Sequence, residues 1–139
     1  MNVYLDASVI LRIVFGEAEP LETWASIEQA VSSELIRVEC LRGLERARQI
    51  DRLTDVTVAS TRANLLGILA TLRLIPLDAD VLERAAGSFP TSLGTLDAIH
   101  LASALAVQSQ LAPLVLATHD TELALAARSM GFSVEGVAF

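Results

Sequence analysis

Lysine is absent from this chain of 139 residues, so all ten of its basic residues are arginines. Its 17 acidic residues give a formal net charge of -7, which argues against a broad, non-specific surface for nucleic acid. One bound divalent cation would change that balance only from -7 to -5. Any contact with nucleic acid must therefore be local, although an enzyme whose acids surround a cation is compatible with this charge.

Cysteine and long apolar runs are also scarce. The single cysteine, Cys40, excludes an internal disulfide and favours a reducing, cytoplasmic setting. No apolar run approaches the roughly 20 residues that a membrane span needs, and no signal-peptide pattern opens the chain. Aromatic residues make up 4% of the chain and apolar residues 53%, mostly Ala, Leu, Val and Ile. This composition favours tight packing of helices on a sheet, in a single domain over residues 1–139.

Short apolar runs alternate with amphipathic stretches, which predicts a three-layer α/β/α domain with a central, mainly parallel sheet. The predicted strands cover, approximately, residues 2–6, 31–32, 74–77, 114–117 and 132–137. The predicted helices cover, approximately, residues 7–15, 21–30, 33–50, 55–72, 78–88, 95–109 and 121–130. Ser33, Asp78 and Asp120 are typical N-cap residues, and residues 89–94 form a loop rich in Pro, Ser, Thr and Gly.

Four acidic residues stand at unusual places in this pattern. Asp6 ends the first apolar strand and Asp120 follows the strand 114–117. The carboxyl ends of parallel strands meet at one edge of a sheet, where open α/β sheets bind ligands, so these two acids can face one crevice. Glu39 lies within the helix 33–50. Asp97 opens an otherwise apolar helix and reaches the crevice only if the preceding loop brings it there.

Converging carboxylates would have a definite chemistry. Several of them within a few ångströms cannot all stay ionised without a cation. Hard oxygen ligands suit Mg²⁺ or Mn²⁺, with waters completing the octahedron. Such a site would lower the pKa of a bound water, direct it at phosphorus and stabilise the charge on a phosphate. Ser8 and Thr118 are placed to hydrogen-bond the ligands or their waters.

Each acid also has a simpler interpretation when it is taken singly. Asp6 could serve only as a helix N-cap, and Asp97 and Asp120 could be acids favoured by the dipole at a helix start. Glu39 could be a surface acid paired with Arg42, three residues further along the helix. The combination of all four favours the metal site.

The motifs and their order resemble those of the PIN-domain ribonucleases, and most of all the VapC-type toxins of bacterial toxin–antitoxin pairs. The resemblance covers essentially the whole chain, and the motifs that carry it are Asp6-Ala7-Ser8, Ser33 leading to Glu39, Leu96-Asp97-Ala98-Ile99-His100-Leu101-Ala102, Thr118-His119-Asp120 and the closing 126–131 segment. It implies a PIN-like fold and a Mg²⁺- or Mn²⁺-dependent endoribonuclease that hydrolyses RNA with a water as the attacking group. Carried over by residue, Asp6, Glu39, Asp97 and Asp120 would be the catalytic, metal-binding acids, supported by Ser8 and Thr118.

The resemblance further implies a homodimer that a cognate antitoxin holds inactive. An apolar groove for an antitoxin tail could come from the first two predicted helices, although ordinary core packing is the alternative for its residues, which are Leu11, Val14, Phe15, Leu21 and Trp24. Arg42 and Arg46 could position Glu39, contact RNA phosphate or meet an antitoxin acid, and surface salt bridges are the alternative. His100 is interpreted as a packed helix residue, and His119 as a loop residue beside Asp120.

Three rival functions fit the sequence less well. A haloacid-dehalogenase-like phosphatase also begins with a strand that ends in an aspartate, but it wants a second acid two residues later, where this chain has Ser8. That phosphatase usually needs a lysine, and so does a receiver-like phospho-acceptor domain, whereas this chain has none. A catalytically inactive PIN-fold binding module is the third rival, and the acids present at all four motif positions argue against it.

Overall fold

Five parallel strands form the central sheet in the computed structural model, which describes residues 1–16 and 24–139. Their order across the sheet is β3-β2-β1-β4-β5, and every neighbouring pair is parallel. The strands are β1 (Asn2–Leu5), β2 (Gln29–Ser33), β3 (Arg73–Ile75), β4 (Leu114–Ala117) and β5 (Ser133–Glu135). The chain builds outward from β1 to β3 and then returns to the other side of β1, which makes the gap between β1 and β4 the switch point of the sheet.

Six α-helices cover the two faces of this sheet within the described residues. They are α1 (Ala7–Val14), α2 (Leu35–Ile50), α3 (Asp55–Ala70), α4 (Ala79–Ala86), α5 (Thr95–Val107) and α6 (Thr121–Ser129). Helices α1 to α3 pack with Val3 and Leu5 on one face, and α4 to α6 pack with Tyr4 and Leu116 on the other. Alternate residues of β1 thus enter opposite cores, as the twofold period of a strand requires. The predicted three-layer α/β/α architecture is confirmed.

Side-chain caps fix where several helices begin. The Ser33 hydroxyl accepts a hydrogen bond from the Leu35 backbone N–H at 3.1 Å, at the start of α2. Asp78 accepts from the backbone N–H of Val81 at 2.9 Å, at the start of α4. These contacts satisfy amide groups that a helix leaves unpaired in its first turn. The predicted Asp78 cap is confirmed, whereas the N-cap residue of α2 is Glu34, one residue after the predicted Ser33.

The predicted helix at residues 21–30 is wrong wherever the structure describes it. Trp24–Ser26 form one 3₁₀ turn, and β2 begins at Gln29. The start of that prediction, with Pro20 and Leu21, lies outside the described residues. Ala30 pairs with Val3 in the parallel ladder, so long-range pairing with β1 outweighs the local amphipathic pattern.

The strand next to Pro76 is also shorter than its apolar run. β3 ends at Ile75, because proline has no N–H to continue a ladder, and it lies at the edge of the sheet. Helix α2 ends at Ile50 as predicted, and the other five helices end one or two residues short of the predicted bounds, as is common at frayed helix ends. No helix in the described part of the chain is both long and apolar enough to cross a membrane.

Candidate active site

Asp6 is the best anchored acid of the crevice. It directly follows β1, and only 5% of its surface is exposed. Its Oδ1 accepts hydrogen bonds from the Ser8 hydroxyl at 2.6 Å and from the backbone N–H groups of Ser8 and Val9 at 3.1 and 3.4 Å. Its Oδ2 accepts a bond from the Thr118 hydroxyl at 2.6 Å. Asp6 therefore does cap α1, but the bond to Thr118 adds a link to β4 that a cap does not need.

Ser8 and Thr118 connect Asp6 to the segment that carries Asp120. The Ser8 hydroxyl, which donates to Asp6, accepts from the backbone N–H of His119 at 2.9 Å. The Thr118 hydroxyl, which also donates to Asp6, accepts from the backbone N–H of Asp120 at 2.9 Å. A hydroxyl can donate once and accept twice, so each side chain serves as a bridge. Both hydroxyls thus bond to Asp6, and their supporting role at a metal site stays a prediction.

Asp120 faces the same edge of the sheet. Its Oδ1 accepts from the backbone N–H groups of Glu122 and Leu123 at 2.8 and 3.1 Å and so caps α6. Its Oδ2 has no donor within the described ranges of the chain. Asp120 therefore combines its simpler interpretation, a helix cap, with one carboxylate oxygen that is free for a ligand.

Asp97 is half-buried in the first turn of α5. Burial, followed by the charges of Asp120 and Asp6, raises the pKa of Asp97 from 3.8 to about 6. Glu39 raises this pKa further, while His100 lowers it. The Asp97 carboxylate accepts no hydrogen bond from any described residue. The loop before α5 has thus brought Asp97 within electrostatic range of the other three acids.

Glu39 approaches the crevice from α2 and is held by His100. Its Oε1 lies 2.5 Å from Nε2 of His100, and its side chain is 16% exposed. His100 itself is only 1% exposed, and its Nδ1 lies 2.7 Å from the hydroxyl of Tyr4. The simpler alternative, in which Glu39 pairs with Arg42, does not hold, because α5 rather than the next turn of α2 supplies the partner. Arg42 and Arg46, for which surface salt bridges were the alternative, form no ion pair with any described residue.

His100 was interpreted from the sequence as a packed helix residue, but in the structure it also bonds to Glu39 and Tyr4. The missed signal is its spacing from Asp97: residues three apart on a helix lie on the same face. Burial lowers the pKa of His100, but its bond to Glu39 and the charges of Glu39, Asp6 and Asp97 outweigh that effect and raise the pKa. Burial also raises the pKa of Asp6, against the hydrogen bonds from Ser8 and Thr118.

The chemistry of the four acids fits a divalent cation, but their present arrangement is not a finished coordination shell. Across the described residues, no three His, Cys, Asp or Glu side chains are grouped so that they could hold a metal ion. Asp6 already accepts on both oxygens, and one oxygen of Glu39 faces His100. The donors left are all carboxylate oxygens, which suit a hard cation that keeps several of its waters, as Mg²⁺ does.

The PIN domain family model matches residues 3–129. The chain belongs to the PIN-domain family. Ribonuclease VapC46 of Mycobacterium tuberculosis (strain ATCC 25618 / H37Rv) is 36% identical over 135 residues, which cover 95% of each chain. Ribonuclease VapC47 of Mycobacterium tuberculosis (strain CDC 1551 / Oshkosh) is 33% identical over 137 residues, which cover 94% of this chain and 93% of that protein. The expected resemblance to VapC-type PIN ribonucleases is thus confirmed.

A solved structure shares the architecture of this PIN domain. The crystal structure of PAE2754 from Pyrobaculum aerophilum superposes with a TM-score of 0.64. The match covers 98% of this chain and 84% of the other, at 19% sequence identity. At that identity the likeness concerns the fold alone.

His119 of this PIN domain is a packed residue beside the acids. Its Nδ1 donates to the carbonyl of Gly136 at 2.9 Å, while its Nε2 is buried without a partner among the described residues. Gly136 has a φ of +100°, and a Cβ at this position would clash with the Thr118 carbonyl. The absence of a side chain at Gly136 lets the end of β5 lie directly against the segment that carries Thr118 and Asp120.

Two of the five residues predicted to form a groove for an antitoxin, Val14 and Trp24, line a cleft in the structure, and its use by an antitoxin stays a prediction. A cleft of about 580 Å³ lies beside the end of α1, and the residues that line it include Val14 and Trp24 together with Gly67 and Ile68 of α3. Leu11 instead packs against Gly43 of α2. Leu21 is outside the described residues.

Proposed function

We propose that this PIN domain is a Mg²⁺- or Mn²⁺-dependent endoribonuclease and acts as the toxin of a toxin–antitoxin pair. The observation that carries the proposal is the hydrogen-bonded link at the switch point of the sheet, where the Thr118 hydroxyl joins the Asp6 carboxylate to the backbone N–H of Asp120. Burial and the charges of these two acids also raise the pKa of Asp97 to about 6. Strongly perturbed carboxylates in such a crevice are typical of functional sites. The relatives named Ribonuclease VapC support RNA as the substrate.

The four acids would divide the task of binding the cation. Asp6 would be the fixed member, because Ser8 and Thr118 hold both of its oxygens. Asp97, Asp120 and Glu39 would contribute oxygens that are free of protein donors in the described part of the chain. When bound, the cation would lower the pKa of a water and neutralise charge on the phosphodiester.

Arginines on α2 offer a local contact for the RNA backbone. Five of the ten arginines fall between Arg37 and Arg52, on a chain whose net charge is -7. Arg42 and Arg46 follow Glu39 by three and seven residues, so all three lie on one face of α2. Both arginines are exposed and have no ion-pair partner within the described residues. They would bind phosphates next to the one that is cleaved, which reconciles an acidic protein with an RNA substrate.

We further propose that the chain is a homodimer in the cytoplasm and that a cognate antitoxin inhibits it. The cleft beside α1 and α3 is apolar at Val14, Trp24 and Ile68, which suits the apolar face of a helical tail. A small reading frame next to this gene that encodes a DNA-binding antitoxin would support the pairing. Its absence would weaken the toxin assignment without affecting the nuclease one.

The nuclease proposal can be tested on the chain purified without an antitoxin. Structured RNA is incubated with Mn²⁺, with and without EDTA, and cleavage products are separated on a gel. Asp97→Asn should reduce cleavage by about a hundredfold or more, on the scale seen when one group that stabilises a transition state is removed. Asp80→Asn is the matched control, because Asp80 also lies in the first turn of a helix but is exposed and remote from the acids. Cleavage that survives EDTA, or that persists in Asp97→Asn, would refute the proposed site.

A further inference from the structure

Three buried or nearly buried side chains form a chain of contacts from the centre of the sheet to the crevice. The Tyr4 hydroxyl lies 2.7 Å from Nδ1 of His100, and Nε2 of His100 lies 2.5 Å from Oε1 of Glu39. Tyr4 and His100 are 0% and 1% exposed. We propose that His100, held in place by Tyr4, is a positioning residue that orients the Glu39 carboxylate for the divalent cation. This inference rests on the proposed function and deepens it.

The contact joins two layers of the fold that pack on opposite faces of the sheet. α5, which carries His100, belongs to the core around Tyr4, whereas α2, which carries Glu39, belongs to the core around Leu5. Glu39 therefore reaches over the carboxyl edge of the sheet to meet His100. Without this hydrogen bond, the long side chain of Glu39 would sample several rotamers. Because the bond already fixes one rotamer, cation binding would lose less side-chain conformational entropy.

The direction of the hydrogen bond between His100 and Glu39 does not depend on the charge of His100. A carboxylate oxygen can only accept, so Nε2–H of His100 donates to Glu39 in either protonation state. The Tyr4 hydroxyl can donate to Nδ1 of a neutral ring or accept from Nδ1–H of a charged one. Burial raises the pKa of Tyr4, which keeps its proton on the hydroxyl in both cases.

Packing alone does not account for a histidine here. A buried ring nitrogen without a partner is costly, so an apolar residue would serve a pure core position better. Both ring nitrogens of His100 are instead used, one towards Tyr4 and the other towards Glu39. Oε2 of Glu39 has no donor in the part of the chain that the structure describes. Hydrogen-bonded partners of this kind orient metal-binding carboxylates, and their loss typically weakens metal affinity by about 10- to 100-fold.

Two substitutions of His100 separate positioning from packing. The amide nitrogen of glutamine reaches the place of Nε2 and can donate to Glu39, whereas that of asparagine reaches the place of Nδ1 and keeps only the contact with Tyr4. We expect His100→Asn to weaken Mn²⁺ binding about 10- to 100-fold in calorimetry of the RNA-free protein. We expect His100→Gln to bind Mn²⁺ nearly as tightly as the original chain does. Val107→Ala, a core change further along α5, should lower the midpoint of thermal unfolding without changing Mn²⁺ affinity.

A measurement on the unchanged protein covers the case in which neither His100 variant folds. In ¹⁵N-histidine-labelled protein, the Nε2–H resonance of His100 should shift when Mg²⁺ saturates the site, because Glu39 would then share its charge with the cation. A resonance that stays unmoved at saturation overturns the inference. Equal Mn²⁺ affinities of His100→Asn and His100→Gln overturn it too, as does tighter binding by His100→Asn. A chain that binds neither ion refutes the proposed function itself, and the positioning role with it.

Discussion

Asp97→Asn should stabilise the metal-free protein at neutral pH, although it should reduce RNA cleavage. Burial and the charges of Asp120 and Asp6 raise the pKa of Asp97 in the folded state from 3.8 to about 6. The folded protein therefore binds more protons than the unfolded chain between these two values, so stability falls as the pH rises from about 4 to about 6. Above pH 6 the folded state carries the full penalty of an ionised Asp97, and the neutral asparagine does not.

The size of the effect follows from the shift. A difference of about two pKa units corresponds to about 3 kcal/mol, at 1.36 kcal/mol for each unit. Asp97 is only half-buried, so solvent screening lowers this value to about 1–2 kcal/mol. Asparagine also forfeits the favourable interaction of an acid with the N-terminus of α5, about 0.3–1 kcal/mol. A net gain of about 1 kcal/mol remains, which would raise the midpoint of thermal unfolding by about 2–5 °C.

The assay is thermal unfolding in EDTA at pH 7 and at pH 4. Asp97→Asn should unfold at a higher temperature than the original chain at pH 7, and the difference should vanish at pH 4, where Asp97 is protonated in the folded state. Asp80→Asn loses only the interaction with a helix N-terminus, so it should show no gain at either pH. If Asp97→Asn is no more stable at pH 7, or gains as much at pH 4, the four acids do not repel one another as described.

Other contacts of the site give further predictions. Thr118→Val keeps the shape of the side chain but removes the hydroxyl that donates to Asp6, so it should cost about 1–3 kcal/mol in urea unfolding and reduce cleavage. Gly136→Ala should destabilise the fold by about 1–3 kcal/mol, because its Cβ would clash with the Thr118 carbonyl at a positive φ. The double substitution of Arg42 and Arg46 by glutamine should weaken binding of single-stranded RNA. It should also lower the slope of log K against log salt by about 1.4, at about 0.7 for each phosphate contact.

Each of these changes has a matched control in the chain. Thr71→Val removes an exposed hydroxyl that bonds only the carbonyl one turn back, and it should leave cleavage unchanged. A Cβ at Gly67, within α3, would meet nothing within 4 Å, so Gly67→Ala should stabilise the protein by about 0.5–1 kcal/mol. Arg62→Gln removes an exposed arginine of α3 and should not alter the salt slope. If a control variant changes cleavage, stability or the salt slope as much as the variant it is matched to, the proposed contact does not explain the effect.

Local signals in the sequence predicted much of this architecture. The apolar strand Leu114–Ala117 has its predicted bounds, and Asp78 and Asp120 cap helices as predicted. Asp6 and Asp120 could be placed at one edge because strand ends meet there in any parallel sheet. The helix predicted for residues 21–30 failed where it overlaps Gln29 and Ala30, since pairing with β1 involves residues far away in the sequence.

The partner of Glu39 could not be predicted from neighbouring residues either, because it also lies far away in the sequence. Glu39 and His100 are 61 positions apart and meet only once α2 and α5 have packed on opposite faces of the sheet. Arg42 was the natural candidate in the sequence because a helix places it one turn away. Spacing within a helix indicates which residues of that helix can contact one another. A contact between two helices across the edge of a sheet depends on how both helices are placed on the sheet.

The contacts of the acids also explain how the fold accommodates four carboxylates at one edge of the sheet. Asp6 accepts hydrogen bonds from two hydroxyls and two backbone amides, which offset part of the cost of its burial, and Glu39 is paired with His100. Asp97 lacks such donors among the described residues and bears the repulsion, which its raised pKa records. A bound cation would relieve that repulsion, so stability lost in the metal-free state would return as affinity for the ion. Functional sites often lower the stability of the fold that carries them, and we expect the ionised Asp97 to have this effect in the metal-free PIN domain.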